Sequence, residues 1–198
     1  MFPVGSYDRI LADLHMREYH GNLPSDLAVG ILVADCRRQY CQENIINHLR
    51  RFDKKSGKLI DFFLPGYCHA RDLANESVNY TLRSEDYAFS PDLFDDFLDQ
   101  MSTNRLEPTG HVELILASYH DTRLDLFNAI RFDIEKEERE GIILSPMHFF
   151  QQIFDIAKKT TEFEAFKGNI RDDRRRDAII AFVKEKLPDQ LLGLLINQ

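Results

Sequence analysis

Two cysteines, Cys36 and Cys41, flank a pair of arginines and could form a reactive thiol site. They follow an apolar run that ends at Ala34, and a helix is predicted to begin directly after them. A thiol near a helix N-terminus and beside Arg37 and Arg38 is expected to have a lowered pKa, because positive charge stabilises the thiolate. This pattern predicts a nucleophilic cysteine suited to thiol redox or peroxide chemistry. The alternative is one cysteine buried as a small apolar residue and one exposed without a role.

A second group of reactive residue types, Cys68, His69 and Asp72, follows the next apolar run. Ligands of open α/β sheets bind beyond the carboxyl ends of the strands. We therefore expect this group at the same sheet edge as Cys36, where a small-ligand or hydrolytic site could lie. The candidate site there comprises Asp35, Cys36, Gly66, Cys68 and His69. The sequence has no zinc-type pairing of ligands, so we predict neither a metal nor a cofactor; ordinary loop residues are the alternative.

Size and composition indicate a soluble globular protein. The chain has 198 residues and a formal net charge of -8, which argues against nucleic-acid binding, because phosphate contacts require a basic face. No apolar run approaches the roughly 20 residues of a membrane span, and the N-terminus lacks a secretory signal pattern. Three cysteines without framework spacing indicate a reducing setting, so we expect a cytoplasmic protein. Nucleotide-binding and serine-hydrolase motifs are absent from the sequence.

The elements that must position these residues centre on residues 28–66. The run Ala28–Ala34 is apolar without alternation, which is typical of a strand buried on both faces of a sheet. A helix is predicted over 42–53, where the apolar residues share one face. A second strand is predicted over 59–64. Two strands joined by one helix are expected to be parallel, with a right-handed crossover.

Three further helices are predicted from their N-terminal signals. Ser6 precedes an expected helix over 7–20, which should pack on the sheet as an N-terminal addition. Ser90-Pro91 and Ser145-Pro146 each place a capping serine before a proline at the first helical position, a pattern that favours a helix start.

An antiparallel hairpin is predicted downstream. Residues 111–118 are expected to form its first strand, 119–122 its turn and 124–134 its second strand, where alternate residues are apolar. Asn128 interrupts that alternation and is expected at a bulge. A helix over 124–138 is the alternative, since its acidic end favours helix formation.

Three other segments carry weaker signals. Residues 67–89 contain an expected edge strand over 78–82. The rest of this segment is either a functional loop or contains an element that the sequence does not reveal. Residues 160–169 are expected to be a connection. A last helical region over 171–197 is interrupted by Pro188 and ends in apolar residues that must be buried on the same domain or in an interface. These residues are Leu191, Leu192, Leu194, Leu195 and Ile196.

The order of predicted elements over 27–159, β-α-β, helix, β-β, helix, resembles the thioredoxin fold. Two local features add to the resemblance. The family carries its redox cysteines in the loop after the first core strand, where Cys36 and Cys41 lie here. The family also carries a cis-proline before the strand that opens its hairpin, and Pro108 precedes that strand here.

The resemblance implies an α/β fold of the thioredoxin-like, three-layer α/β/α kind with a mixed four-stranded sheet. Residues 1–26 would form an N-terminal helix packed on the core, and 27–160 the thioredoxin-like domain. Residues 161–198 would form a C-terminal helical extension.

The chain departs from the family in the spacing of its cysteines. The family motif is Cys-x-x-Cys, whereas four residues separate Cys36 from Cys41. If Cys41 matches the second family cysteine, Arg38 takes the place of the first, and the redox pair is missing. We therefore predict a thioredoxin-like module without that pair, acting through protein–protein contacts as a subunit or regulator of a larger assembly. Its partner would be a protein or a second copy of the chain, bound through the C-terminal helix.

Two alternatives come from different functional classes. The first is a thiol–disulfide oxidoreductase that uses Cys36 and Cys41 as its catalytic residues. The second is a small-ligand sensor or hydrolase at the carboxyl edge of the strands. The candidate ligand or interface residues are Arg37, Arg38, Cys68, His69 and Pro108.

Overall fold

The computed structural model describes residues 2–20, 28–56, 59–73, 78–103 and 107–186, with side chains described within residues 3–174 of those ranges. The helices are α1 (Tyr7–Tyr19), α2 (Gln39–Asn44), α3 (Leu49–Ser56), α4 (Pro91–Thr103), α5 (Ile134–Arg139), α6 (Pro146–Ala157) and α7 (Phe163–Lys186). The strands are β1 (Phe2–Val4), β2 (Ala28–Val33), β3 (Ile60–Pro65), β4 (Tyr67–His69), β5 (Tyr80–Leu82), β6 (Glu85–Phe89), β7 (Glu113–Ala117), β8 (Tyr119–His120), β9 (Arg123–Leu124) and β10 (Ile130–Asp133).

The main sheet is mixed, with the strand order β1-β3-β2-β7-β10. β3 is parallel to both β1 and β2, whereas β7 is antiparallel to β2 and β10 is antiparallel to β7. The predicted parallel β-α-β unit and the predicted antiparallel hairpin are thus both confirmed. The sheet has five strands, one more than predicted.

The additional strand, β1, is too short to leave a sequence signal. It lies at the edge of the sheet, where Pro3 is tolerated because one side of the strand needs no ladder bonds. Gly66 donates its N–H to Val4 O at 3.0 Å and so ties β1 to the end of β3. Gly66 has φ +78, a conformation that glycine adopts without the steric cost of a Cβ.

Helices cover both faces of the main sheet. Phe62 and Phe63 are neighbours in β3, so their side chains point to opposite faces. Phe62 contacts Phe150 and Phe154 of α6, at ring-centroid distances of 6.1 and 5.9 Å. Phe63 lines a cleft together with residues of α1, which places α1 on the opposite face from α6.

The remaining helices pair with these two. On the α6 side, Phe52 of α3 packs against Phe150 at a centroid distance of 4.3 Å. On the α1 side, Tyr7 N donates to Gln100 Oε1 of α4 at 2.9 Å. The chain therefore buries each apolar sheet face under its own pair of helices, as an α/β architecture requires.

The predicted capping serines are confirmed. The hydroxyl oxygens of Ser6, Ser90 and Ser145 accept backbone N–H groups from Arg9, Leu93 and His148, at 3.3, 3.3 and 3.2 Å. Each bond satisfies an otherwise unpaired donor in the first turn of a helix.

The helix predicted over 42–53 is interrupted in the structure. α2 begins earlier, at Gln39, and a 3₁₀ turn over Ile46–His48 separates it from α3. Ile45 and Ile46 are both buried, at 0% and 3% exposure. Two adjacent side chains cannot both lie at the centre of one narrow helical face, and a change of helix direction buries both.

The strands β4, β5 and β6 form a second, three-stranded antiparallel sheet with the order β4-β6-β5. The predicted strand over 78–82 is present as β5, whereas β4 and β6 were not predicted. In the β5–β6 turn, Arg83 and Ser84 have φ values of 52 and 67. Glycine or asparagine at these two positions would have predicted such a turn from the sequence, whereas arginine and serine do not. The Arg83 guanidinium bonds both carboxylate oxygens of Asp53, at 2.8 and 2.9 Å, and this tertiary contact holds the turn.

The hairpin differs from its prediction in the second strand. Leu124 belongs to the short ribbon β8–β9, and the strand of the main sheet begins only at Ile130. The expected bulge at Asn128 is wrong, because its N–H and side-chain amide bond the Asp125 carboxylate at 3.1 and 2.7 Å and form a turn. The helical alternative for 124–138 holds only from Ile134 onwards, where α5 begins.

The connection predicted over 160–169 is also wrong, since α7 begins at Phe163. Phe163, Phe166 and Ile170 are buried at helical spacing, and the exposed Gly168 among them weakens the sequence signal. None of the described helices is long and apolar enough to cross a membrane. The apolar C-terminal residues after Pro188 lie outside the described residues, so the prediction about their burial stays a prediction.

We expect Gly30→Ala to destabilise the fold by about 1–3 kcal/mol through overpacking. A Cβ at Gly30 would lie 2.6 Å from Cδ1 of Phe62, whose ring is held by α6. Gly168→Ala is the matched control, because no heavy atom lies within 4 Å of its added Cβ. The control should stabilise α7 by about 0.5–1 kcal/mol. Urea unfolding midpoints measure both effects, and equal shifts in the same direction would contradict the close packing at Gly30.

Candidate functional site

The cysteine loop after β2 is the first candidate site, and its thiols are buried. Cys36 lies in the turn between β2 and α2 and is 9% exposed, whereas Cys41 lies within α2 and is 0% exposed. Both are free cysteines. The Tyr67 hydroxyl donates to Ala34 O at 3.0 Å, and both thiols lie close enough to it for Tyr67 to influence their pKa values. The structure thus brings the two cysteines together around a buried tyrosine.

The thiols are not activated by this arrangement. Burial raises the pKa of the Cys36 thiol to about 11, and the nearby Tyr67 hydroxyl and the charge of Arg37 offset burial only in part. Burial also raises the pKa of Cys41. The lowered cysteine pKa predicted from the two neighbouring arginines is therefore wrong, because desolvation of the thiolate outweighs the nearby positive charge.

The two arginines of the loop are engaged by carboxylates. Arg37 Nε lies 2.9 and 3.0 Å from the two carboxylate oxygens of Asp35, and its Nη2 lies 3.2 Å from Asp95 Oδ1. Arg38 donates to Glu135 Oε1 at 2.7 Å and to Gly110 O at 2.6 Å. Their charges thus tie the loop to α4, to α5 and to the segment before β7.

The segment around Pro108 is held by a buried ion pair. Glu113 is 1% exposed, and its Oε2 accepts from Arg131 Nε at 2.6 Å. Thr109 also donates to Glu113, and Arg131 reaches the carbonyl of Glu107. Pro108 itself is half-buried and follows a trans peptide bond, so it differs from the cis-proline that the resemblance implies.

Helix α5 carries a further buried carboxylate that connects it to α7. Glu137 Oε1 lies 2.5 Å from Arg174 Nη2, and the Arg174 guanidinium lies 4.7 Å from the centroid of the Phe132 ring. Burial raises the pKa of Glu137, although Arg174 opposes the shift. This contact fastens α7 to α5 and to β10 of the main sheet.

The second predicted group lies in a separate cleft. Cys68, His69 and Asp72 line a cleft of about 600 Å³ between α1 and the three-stranded sheet. The described residues that line it do not include Asp35 or Cys36. The single site predicted for both groups is therefore divided in two. Tyr67 contributes to each, because its hydroxyl bonds Ala34 O beside the thiols and its side chain also lines the cleft.

The residues that organise both regions were not predicted from the sequence. Tyr67 follows Pro65-Gly66 at the predicted carboxyl edge of β3, and that position was its only signal. Glu85 and Tyr87 line the cleft because β6 pairs with β4, and Glu135 meets Arg38 across 97 positions of the chain. Contacts between residues so far apart in the chain leave no local pattern in the sequence.

Within the described ranges, no group of three or more His, Cys, Asp or Glu side chains is arranged to hold a metal ion. Comparison of the chain with protein-family models, with curated proteins and with solved structures finds no match. The chemistry of the two candidate sites therefore has to be inferred from their own geometry.

We expect a thiol titration at pH 8 to label Cys68 first, since it is the only cysteine among the three that is not buried. With a pKa of about 11, Cys36 should be ionised in only about one molecule in a thousand at that pH. Cys41 should react as slowly. After unfolding in urea, all three cysteines of the sequence should react.

Two cysteine variants test the oxidoreductase alternative, which stays a prediction. Cys36→Ser and Cys41→Ser should not change the activity of the chain in an insulin-reduction assay, because the native chain should have none. Insulin reduction that is lost in either variant would contradict this expectation, as would a native Cys36 that reacts faster than a free thiol.

Arg131→Met should destabilise the fold by about 3–5 kcal/mol, because it leaves the buried Glu113 carboxylate without its charge partner. The double variant with Glu113→Gln should recover part of the loss, since the uncompensated charge is then removed. Lys158→Met is the control: its ion pair with Asp155 is about half exposed on each side and should contribute less than about 1 kcal/mol. Thermal unfolding that shows the same small effect for Arg131 and Lys158 would rule out a structural role for the buried pair.

Proposed function

We propose that this chain is a thioredoxin-like module that lacks thiol–disulfide exchange and acts by binding another protein, as a subunit or regulator of a larger assembly. The state of the cysteine loop carries the proposal. Cys36 and Cys41 are buried, and Arg37 and Arg38 are paired with carboxylates. A loop closed in this way is suited to a structural role and has no exposed nucleophile.

The topology of the main sheet supports the thioredoxin-like part of the proposal. The family resemblance implies a parallel β-α-β half, a helix, an antiparallel hairpin and a closing helix. The order β3-β2-β7-β10 has the required parallel and antiparallel pairings. α4 and α6 occupy the positions of the middle helix and the closing helix in the chain.

An exposed aromatic residue supports the binding role. Phe127 is 94% exposed and lies in the turn that Asp125 braces through its bonds to Asn128. A rigidly presented aromatic side chain loses little conformational entropy on binding, and aromatic residues dominate the energetics of many protein interfaces. Phe127 is therefore a suitable anchor for a partner.

The C-terminal helix remains the proposed main interface. The apolar residues over 191–196 need burial against another surface, and a protein partner or a second copy of the chain would provide it. The net charge of -8 favours a protein over a nucleic acid as that partner. A cytoplasmic location accords with free cysteines in the described structure.

Sedimentation of the full chain and of a chain ending at Leu187 tests the proposal. The full chain should associate with itself or with a co-expressed partner, whereas the shortened chain should be monomeric with an unchanged circular-dichroism spectrum. Leu194→Asp preserves the length and should weaken association in the same way, and Leu144→Asp serves as the control at an exposed apolar residue of the described structure. A full chain that stays monomeric and partner-free, with a truncation that changes nothing, would refute the proposal.

A further inference from the structure

The cleft between α1 and the three-stranded sheet has the size of a ligand site. Its volume of about 600 Å³ lies within the range of roughly 300–1,000 Å³ that is usual for small-molecule pockets. Most of its lining is apolar, with contributions from Val4, Met16, Phe63 and Leu82. Such a surface can desolvate the body of a small organic molecule.

The cleft is poorly suited to a peptide that adds a strand to the sheet. β1 is the edge strand beside it, and Val4 directs its carbonyl to Gly66 N on the β3 side. Backbone groups alternate in direction along a strand, so the outward-facing residue is Pro3, which has no N–H to donate. The side-chain chemistry of the cleft must therefore select the ligand.

Stacked rings form one wall of the cleft. The His69 and Tyr87 rings lie 4.9 Å apart and are inclined by 31°. Tyr87 in turn stacks on Tyr80 at 5.1 Å and 20°. Each ring is held by its neighbour, so the wall is rigid. Tyr87 packs against both other rings and is buried, so the partly exposed face of the His69 ring is the one that a cation can meet.

A carboxylate lies beside this wall. Glu85 lines the cleft and accepts the Tyr87 hydroxyl at 2.6 Å. This hydrogen bond holds the pKa of Glu85 below its usual range, so the carboxylate is ionised at neutral pH. Glu85 is 54% exposed and can accept a second donor from a ligand.

The cleft lining carries three carboxylates, those of Asp13, Asp72 and Glu85, and two guanidinium groups, those of Arg9 and Arg83. Arg17 lies between two carboxylates, 2.9 Å from Asp13 and 3.1 Å from Asp61. Burial raises the pKa of Asp13, and the nearby charge of Asp61 adds to the shift, although Arg17 opposes it.

The two arginines that line the cleft do not reverse this balance. Arg83 is committed to the buried Asp53 carboxylate through two hydrogen bonds, at 2.8 and 2.9 Å. Arg9 is exposed and forms no ion pair with another described residue. Asp13 and Asp72 also have cationic partners, Arg17 at 2.9 Å and Arg71 at 3.8 Å, whereas Glu85 lies 4.0 Å from His69 Nδ1. The lining thus has one more carboxylate than guanidinium.

We infer that the cleft binds a small organic cation with an apolar body, a primary amine or a guanidine, whose charge pairs with Glu85 beside the rings of His69 and Tyr87. The apolar body occupies the space between Met16, Phe63 and Leu82. This site is independent of the protein-binding role proposed above, because it involves neither Phe127 nor the C-terminal helix.

Titration calorimetry with three molecules of similar shape tests the inference at pH 7.5. Phenethylamine is a cation, 2-phenylethanol is its neutral counterpart and 3-phenylpropanoate is an anion. Phenethylamine should bind at least about threefold more tightly than the alcohol, since a partly exposed charge pair and a cation–π contact add to the apolar contact. The anion should bind most weakly.

Three variants locate the binding. Glu85→Gln should weaken phenethylamine binding about three- to tenfold, because it removes the charge and preserves the shape. Arg9→Gln should leave the affinity unchanged or raise it, because it removes the opposing cation. Ala12→Trp should abolish binding by filling the cleft; Ala12 is exposed, so the fold should be preserved, and circular dichroism checks this.

Several results would overturn the inference. One is equal binding of the amine and the alcohol, and another is preferential binding of the anion. An affinity for phenethylamine that is unchanged in Glu85→Gln would remove the proposed counter-charge. Binding that survives in a folded Ala12→Trp variant would place the ligand elsewhere.

Discussion

The central strand β2 must be shielded from water on both faces, and the architecture follows from that requirement. All six of its residues are buried, and its two edges are occupied by β3 and β7. A strand of this kind is stable only where helices cover the sheet on each side. Gly30 tightens the arrangement, because the absence of a side chain lets the Phe62 ring lie against the strand while it also contacts α6.

The same burial explains why the thiols of the cysteine loop are not activated as nucleophiles. Charges that enter a partly desolvated edge of a sheet must be paired, because an isolated buried ion is costly. Arg37, Arg38 and Arg131 therefore bond carboxylates from other elements, those of Asp95, Glu135 and Glu113. Once these pairs have formed, the positive charge that could have stabilised a thiolate is neutralised, and burial dominates the pKa of Cys36.

The cleft has a different origin, because the second sheet builds it outside the main one. β4 continues directly from β3 through Gly66, and β6 returns along it to place Glu85 and Tyr87 opposite α1. The second sheet keeps the polar groups of Glu85 and Tyr87 outside the apolar core and still holds these residues on paired strands. Rigid strands position such groups more accurately than a free loop of the same length would.

The sequence by itself determined the elements with strong local patterns: the apolar run of β2, the serine-capped starts of α1, α4 and α6, and the antiparallel pairing of β7 with β10. These follow from periodicity and capping, which act within a few residues. Only the tertiary structure decided the three-residue strand β1, the Arg83 turn and the division of the predicted site into a buried loop and an open cleft. Those features depend on contacts such as Arg38 with Glu135 and Arg83 with Asp53, and on the desolvation that overrides the arginines beside Cys36. Neither long-range pairing nor burial can be predicted from the residues next to one another in the chain, because both depend on which distant residues the fold brings together.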